Sequence, residues 1–162
     1  METENSIVIH AELRRIFDAA SDLSRWPVIL PHYRWVRYLE RSPRRNRVVM
    51  AARRGWIPIR WTSLQEIDPE KREVRFRHLK AFTKGMEVVW RFAPAEKSVV
   101  VTISHTLKPK VPLPGKFVTD RIIGDFFVRY VAARTLACMK SYLEASDVSE
   151  DPADRTLPSR GA

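Results

Sequence analysis

Apolar and polar positions follow two different rhythms along this chain. A short β-branched run, Ser6-Ile7-Val8-Ile9-His10, opens it as a strand. Leu13, Ile16, Phe17 and Ala20 then recur at helical spacing, with Arg14, Arg15 and Asp18 on the opposite side. Asp22 is placed to cap a second short helix whose apolar side is Leu23, Trp26, Ile29 and Leu30. Pro27 falls in its first turn, where proline is tolerated, and Pro31 ends it. From Tyr33 to Leu107 the period is two. Tyr33, Trp35, Arg37 and Leu39 alternate with Arg34, Val36 and Tyr38, and a strand from Arg47 to Arg53 follows the turn at Ser42-Pro43. After Gly55, Ile57, Ile59, Trp61 and Ser63 share one side. Asp68-Pro69-Glu70-Lys71 is a turn, and Val74, Phe76 and His78 share a side of the next strand. Met86, Val88, Trp90 and Phe92 form another row, and Ser98–Leu107 closes the set.

Short turns join these six strands, so antiparallel hairpins are expected, because parallel pairs need long crossovers. A proline-rich connection, Lys108 to Gly115, leads to a long helix from about Phe117 to Ala145. Its apolar stripe includes Ile122, Ile123, Phe126, Phe127, Tyr130, Val131, Ala133, Leu136, Ala137 and Leu143. The element order β-α-α-β-β-β-β-β-β-α leaves that helix as the one large apolar partner for a curved sheet. Sheet and helix together enclose a hollow, lined by alternate strand residues and one stripe of the helix, and such a hollow is the default binding site. Residues 1–145 are expected to form one ligand-binding domain, and 146–162 a disordered polar tail.

Composition narrows the chemistry. Of 162 residues, 44% are hydrophobic and 30% charged, an ordinary globular mix. One cysteine, Cys138, excludes an intrachain disulfide and a zinc site built on several thiolates. His10, His32, His78 and His105 are scattered without metal-ligand spacing, and no glycine-rich phosphate loop occurs, so neither metal nor cofactor is expected. No apolar run reaches the ~18 residues of a membrane span. The opening is acidic and polar rather than signal-like. A cytoplasmic location is the expectation.

Lys and Arg outnumber Asp and Glu by 29 to 19, a net charge of +10. Arg41, Arg44, Arg45 and Arg47 crowd one turn, while Arg72, Arg75 and Arg77 interleave with apolar residues at strand spacing. No helix-turn-helix, zinc finger or RNP-like motif accompanies them, so a solvated strand face is expected rather than specific nucleic-acid binding. The remaining uses of the charge are attraction to anionic membranes, substrates or carrier proteins.

Several segments resemble one family. Asn5-Ser6-Ile7-Val8-Ile9-His10-Ala11, Ile16-Phe17 and Leu23-Ser24-Arg25-Trp26-Pro27 are similar to the opening of bacterial polyketide aromatase/cyclases and of the wider START-like (SRPBCC) superfamily. The likeness continues through Tyr33, Trp61-Thr62-Ser63, Val74-Arg75, Met86, Trp90 and the final helix, about residues 5 to 145. It implies an α+β helix-grip fold: a seven-stranded antiparallel sheet wrapped around the C-terminal helix with an internal cavity.

It also implies site residues. Related cyclases line the pocket with a tyrosine, a serine and an arginine; Tyr33 and Ser63 fall on the first two, and Gln65 stands at the arginine position. A neutral amide stabilises a developing enolate less than a guanidinium does, which favours binding over catalysis. His78 falls where a second cationic residue is expected. It is either an acid or base, or a strand-end histidine bonded to backbone. Ile59, Trp61, Met86, Val88 and Trp90 are ligand-wall candidates, with Trp35, Phe126 and Tyr130 beside them. The tryptophans are either plain core or flat walls for a polycyclic or isoprenoid ligand. Thr102 and Ser104 share one side of their strand, which the family pattern turns toward the cavity.

Two functions result. One is binding of a hydrophobic or aromatic small molecule such as a polyketide, lipid or quinone. The other is aldol cyclisation and dehydration of a poly-β-keto substrate. Lys108-Pro109-Lys110-Val111-Pro112-Leu113-Pro114 mixes cations with apolar residues near the expected cavity mouth, a composition suited to transient membrane or acyl-carrier contact, or to a stiff solvated loop. An acidic protein or RNA partner for the arginine surface ranks below both functions. Oligomeric state has no sequence signal.

Overall fold

A computed structural model of the chain describes residues 2–80, 83–107 and 128–148. In chain order these form β1 (Glu2–Ile9), α1 (Leu13–Ser21), a 3-10 turn (Leu23–Arg25), α2 (Trp26–Ile29), β2 (Tyr33–Glu40), β3 (Arg45–Arg54), β4 (Ile57–Asp68), β5 (Glu73–His78), β6 (Glu87–Ala95), β7 (Ser98–Thr106) and α3 (Arg129–Val148). The strands make one sheet in the order β1-β7-β6-β5-β4-β3-β2. Every pairing is antiparallel. Five hairpins in succession carry the chain across the sheet, and β1 returns to pair with β7 at the far edge. This is the expected helix-grip order. The expected connection at Lys108–Gly115, the start of the long helix and residues 149–162 of the expected tail lie outside the described residues.

Local chemistry explains the helical segment. Asp22 accepts from the backbone N–H of Ser24 at 3.2 Å and from its hydroxyl, which starts the 3-10 turn. Pro27 sits in the first turn of α2, where its missing N–H costs nothing. The backbone then bends into β2 through Tyr33 N–H on the Leu30 carbonyl, 2.9 Å.

Side-chain alternation in β3 to β7 sends one row of each strand inward: Val48 and Met50, Trp61 and Ser63, Val74 and Phe76, Val88, Trp90 and Phe92, Val99, Val101 and Ile103 are all buried. The described part of the last helix buries Val128, Ala132, Thr135, Leu136, Met139 and Leu143. Their spacing of three and four residues places them on one face. Ala133 and Ala137, expected in that stripe, are exposed instead, about 100° away per residue step. The helix also covers the edge strand β1. The Lys140 ammonium donates to the Val8 carbonyl at 2.6 Å, and Glu144 accepts from the His10 N–H at 2.8 Å. Those bonds occupy edge groups otherwise open to another strand.

Two expectations of facing are corrected. β2 and β3 shift register between Tyr33 and Trp35. Such a bulge reverses which side chains face in. Tyr33 is buried, but Trp35 is 38% exposed with the Arg37 guanidinium 5.7 Å from its ring centre, and Val36 and Tyr38 pack on the core instead. In β7 the inward row is Val99, Val101, Ile103 and His105, so Thr102 and Ser104 face outward. There Thr102 bonds Ser6 at 2.9 Å, and Ser104 donates to Glu4 at 3.0 Å. Valine and isoleucine claim the core side of this strand, and the hydroxyls take the wet one.

Candidate functional site

Between the sheet and α3 lies a cavity of about 60 Å³. β4 supplies Ile59 and Trp61, β5 Phe76 and His78, β6 Val88 and Trp90, and β7 Ile103 and His105. Trp26 and Tyr33 close one side, with Val128, Val131, Ala132 and Thr135 from the helix region above. The wall is therefore the inward row of each strand, set by the period of two. A volume of about 60 Å³ holds a few waters, whereas drug-sized ligands occupy pockets of ~300–1,000 Å³. A polycyclic guest must therefore displace side chains. Met50 and Met86 on the wall are suited to this, since unbranched thioethers repack at little cost.

The aromatic part is built around Trp26. Its ring centre is 5.1 Å from Tyr33, 5.6 Å from Trp90 and 5.8 Å from Phe76, and its indole N–H donates to the Ala19 carbonyl at 3.2 Å. Tyr33 meets Trp61 edge-on at 5.9 Å, and Trp61 stacks on His78 at 5.8 Å. These contacts hold the rings as flat walls at fixed angles.

The polar part is small and uncharged. His78 Nδ1 and the Thr83 hydroxyl are 2.6 Å apart. Burial, and then the neighbouring His105, push the His78 pKa down to about 3. Burial pushes His105 down to about 4. Both imidazoles are neutral at physiological pH, each offering one donor and one acceptor nitrogen. Burial raises the Tyr33 phenol well above its usual range, against a weaker opposing effect of the Thr135 hydroxyl, so Tyr33 stays a protonated donor. Thr135 also meets His32 Nε2 at 2.9 Å. His32 is held near 4 by burial and then by Arg134. Among the described residues, Trp61 Nε1 and His105 Nδ1 have no hydrogen-bond partner although both belong to the wall. The described lining contains no Asp, Glu, Lys or Arg. Such a surface fits a neutral apolar molecule carrying a few carbonyl or hydroxyl oxygens.

The structure places the sequence-derived candidates differently. Tyr33, Ile59, Trp61, His78, Met86, Val88 and Trp90 come together on the wall. Ser63 and Gln65 are fully buried but lie off it. Ser63 pairs across the sheet with His78, and its hydroxyl has no partner among the described residues. The Gln65 amide donates to the Ser21 carbonyl at 2.9 Å and accepts from Asn46 Nδ2 at 2.9 Å, so it joins α1 to β3. Trp35, Thr102 and Ser104 are on the outer face. Tyr130 also lies off the wall: its hydroxyl accepts from Arg134 at 2.9 Å, and the Arg54 guanidinium sits 4.8 Å from its ring centre. Phe126 lies outside the described residues. His105, Thr83 and Thr135 were not among the candidates. His105 shared the parity of Val99, Val101 and Ile103, which was the available signal. Thr135 carried none, being a polar residue on an apolar stripe. Among the described residues no cluster of three His, Cys, Asp or Glu could hold a metal ion, and no helix is long and apolar enough to cross a membrane.

The arrangement has counterparts. A candidate polyketide cyclase of Streptomyces cyaneus is 29% identical over 125 residues, 74% of this chain and 82% of that one. The Zhui aromatase/cyclase from Streptomyces sp. R1128 superposes with a TM-score of 0.76 at 16% identity, covering 91% of this chain and 95% of that one. A STAR-related lipid transfer protein from Xanthomonas axonopodis superposes at 0.64 with 13% identity, covering 88% and 85%. The two solved structures share the fold. The family described as polyketide cyclase/dehydrase and lipid transport matches residues 9–125, from the end of β1 past β7, and thus takes in every sheet strand that lines the cavity. By that match over most of its length, the chain belongs to the polyketide cyclase/dehydrase and lipid transport family.

Proposed function

We propose that the protein binds a neutral, hydrophobic or aromatic small molecule of the polyketide, lipid or quinone class inside the sheet–helix cavity. The observation that carries this reading is the wall itself. Fixed indole and phenyl faces surround unused polar atoms on Trp61 and His105, with no formal charge among the described lining residues. Buried donors without partners are costly, and a ligand oxygen that satisfies them gains what an apolar guest does not. The names of the similar cyclases and lipid-transfer protein agree with this class.

The test is native mass spectrometry of freshly purified protein for a co-purified molecule, followed by titration with a hydrophobic fluorophore that quenches tryptophan emission. Trp90→Ala is expected to weaken binding by ~1–3 kcal/mol through loss of a stacking face. Unchanged affinity in a folded Trp90→Ala protein would place the ligand elsewhere.

A second reading, cyclisation and dehydration of a poly-β-keto chain, is supported by Tyr33 and His78 standing on one wall. A protonated phenol can donate to a carbonyl that becomes an enolate, while a neutral imidazole can orient a substrate oxygen by a hydrogen bond. In this reading position 65 has a structural role, its side chain bonded to Ser21 and Asn46. In product analysis with a minimal polyketide synthase, Tyr33→Phe is expected to lower first-ring cyclisation ~10²–10³-fold, the usual effect of losing one placed donor. Absence of any cyclised product from the wild type would leave the binding reading alone.

A further inference from the structure

The hairpin joining β3 to β4 ends in a feature that the cavity does not explain. Arg54 pairs with Ile57, leaving a two-residue loop, Gly55-Trp56. Gly55 opens it at φ +57°, a conformation that glycine adopts without strain. The turn carries Trp56 out into solvent, where it is 90% exposed, and Ile57 beside it is 46% exposed. An indole left this far out buries almost none of its apolar surface, so its place is not set by the core.

Among the described residues, the segments around the tip carry positive charge only. Residues 41–65 contain no Asp or Glu, and neither do 23–39 nor 128–143. These are the segments that meet at this end. The Arg53 N–H bonds the His32 carbonyl at 2.8 Å, and Arg54 lies over Tyr130 at the start of α3. Arg34, Arg53, Arg60, Arg129 and Arg134 are all exposed there. The hairpin also leads inward. Ile57, Ile59 and Trp61 share one side of β4, and the latter two line the cavity.

The geometry points to this hairpin tip as the membrane-docking element of the protein, with Trp56 seated in the interface of an anionic lipid bilayer and the surrounding arginines facing its headgroups. A bilayer fits better than a protein partner because the apolar element is a convex tip rather than a groove. An exposed tryptophan at the end of an arginine-bearing hairpin matches the chemistry of the water–lipid boundary, with an amphipathic ring at headgroup depth and cations over anionic phosphates. Docked this way, the Ile57–Ile59–Trp61 row runs from the lipid surface toward the cavity. The inference concerns the outside of the molecule and stands whichever ligand the cavity holds.

The experiment is sedimentation of the full chain with phosphatidylcholine vesicles, with and without phosphatidylglycerol, comparing wild type, Trp56→Ser and Arg53→Glu/Arg60→Glu. Wild type is expected to bind the phosphatidylglycerol vesicles and to be released by salt. The charge-reversed variant is expected to bind at least about tenfold more weakly, since each surface cation near such a membrane contributes about fivefold. Trp56→Ser is expected to lower binding several-fold while leaving the melting temperature and fluorophore binding unchanged. Brominated lipids should quench the wild type more than Trp56→Ser. Three results would each overturn the proposal: no binding to phosphatidylglycerol vesicles, binding that Trp56→Ser does not weaken, or capture of an acidic carrier protein through Trp56 in the absence of vesicle binding.

Discussion

Replacing Gln65 with arginine is expected to destabilise the protein by about 3–5 kcal/mol, the range seen when a charge is left buried without a partner. Gln65 is 0% exposed. Its amide stands in a chain of bonds that crosses three elements. The Ser42 N–H donates to Asn46 Oδ1, Asn46 Nδ2 donates to Gln65 Oε1, and Gln65 Nε2 donates to the Ser21 carbonyl, each at 2.9 Å. That chain locks the β2–β3 turn, β4 and the end of α1 together with every member satisfied. A guanidinium is larger, charged and without an acceptor atom, so Asn46 Nδ2 loses its partner and the charge gains no carboxylate among these bonds. Gln65→Leu separates the two effects. It adds no charge but still orphans Asn46 Nδ2 and the partly buried Ser21 carbonyl, at about 1 kcal/mol each, the low end of the cost of a buried bond left unmade. Urea unfolding midpoints decide the matter. Gln65→Arg is expected to fall furthest and Gln65→Leu between it and wild type. A Gln65→Arg protein with the wild-type midpoint would show that the buried amide network is not what holds these elements.

Mild acid is expected to weaken the fold well before its carboxylates titrate. In the unfolded chain a histidine protonates near 6.5. In the folded protein His78 does so only near 3 and His105 near 4. Between those values the unfolded state binds protons that the folded state refuses. Stability is therefore full above about pH 6.5 and is lost as pH falls below it, until the folded imidazoles themselves protonate. By pH 5 the loss reaches at most about 2 kcal/mol for each of the two. His32, held near 4, acts in the same direction. Burial opposes it, but Arg75 and Arg91 hold the Glu73 carboxyl below its usual range, and the His10 N–H and then Lys140 do the same for Glu144, so their contribution is lost only at lower pH. Thermal melts between pH 7 and 5 check this. His78→Asn keeps a partner for the Thr83 hydroxyl but does not titrate, and should make the decline clearly shallower. A melting temperature constant from pH 7 to 5 would contradict buried neutral histidines.

How much of this was legible in the sequence follows from the range of the forces involved. Element type and order are set by near neighbours. A period of two from Tyr33 to Leu107, punctuated by Gly55, Asp68-Pro69 and Pro94, allows little but successive hairpins, and the apolar stripe of the last helix supplies the sheet's missing partner. The wall residues of β4, β5 and β6 follow, because one face of each strand is plainly more apolar than the other. Facing failed where a single residue of register mattered. One bulge in β2 turned Trp35 outward, and β7 placed its valines rather than its hydroxyls inside.

The chain alone therefore determined the succession of strands and helices, a hollow between sheet and last helix and most of its aromatic wall, because periodicity and turn chemistry act within a few residues. Only the tertiary structure decided that Gln65 is a buried strut between Ser21 and Asn46, and that His105 joins His78 at the polar end of the cavity. It also decided that Trp56 stands in solvent at the end of a hairpin whose Arg54 reaches Tyr130 on the last helix. Each of these depends on partners distant in sequence, and burial, pKa and charge clustering come into being only when the fold brings those partners together.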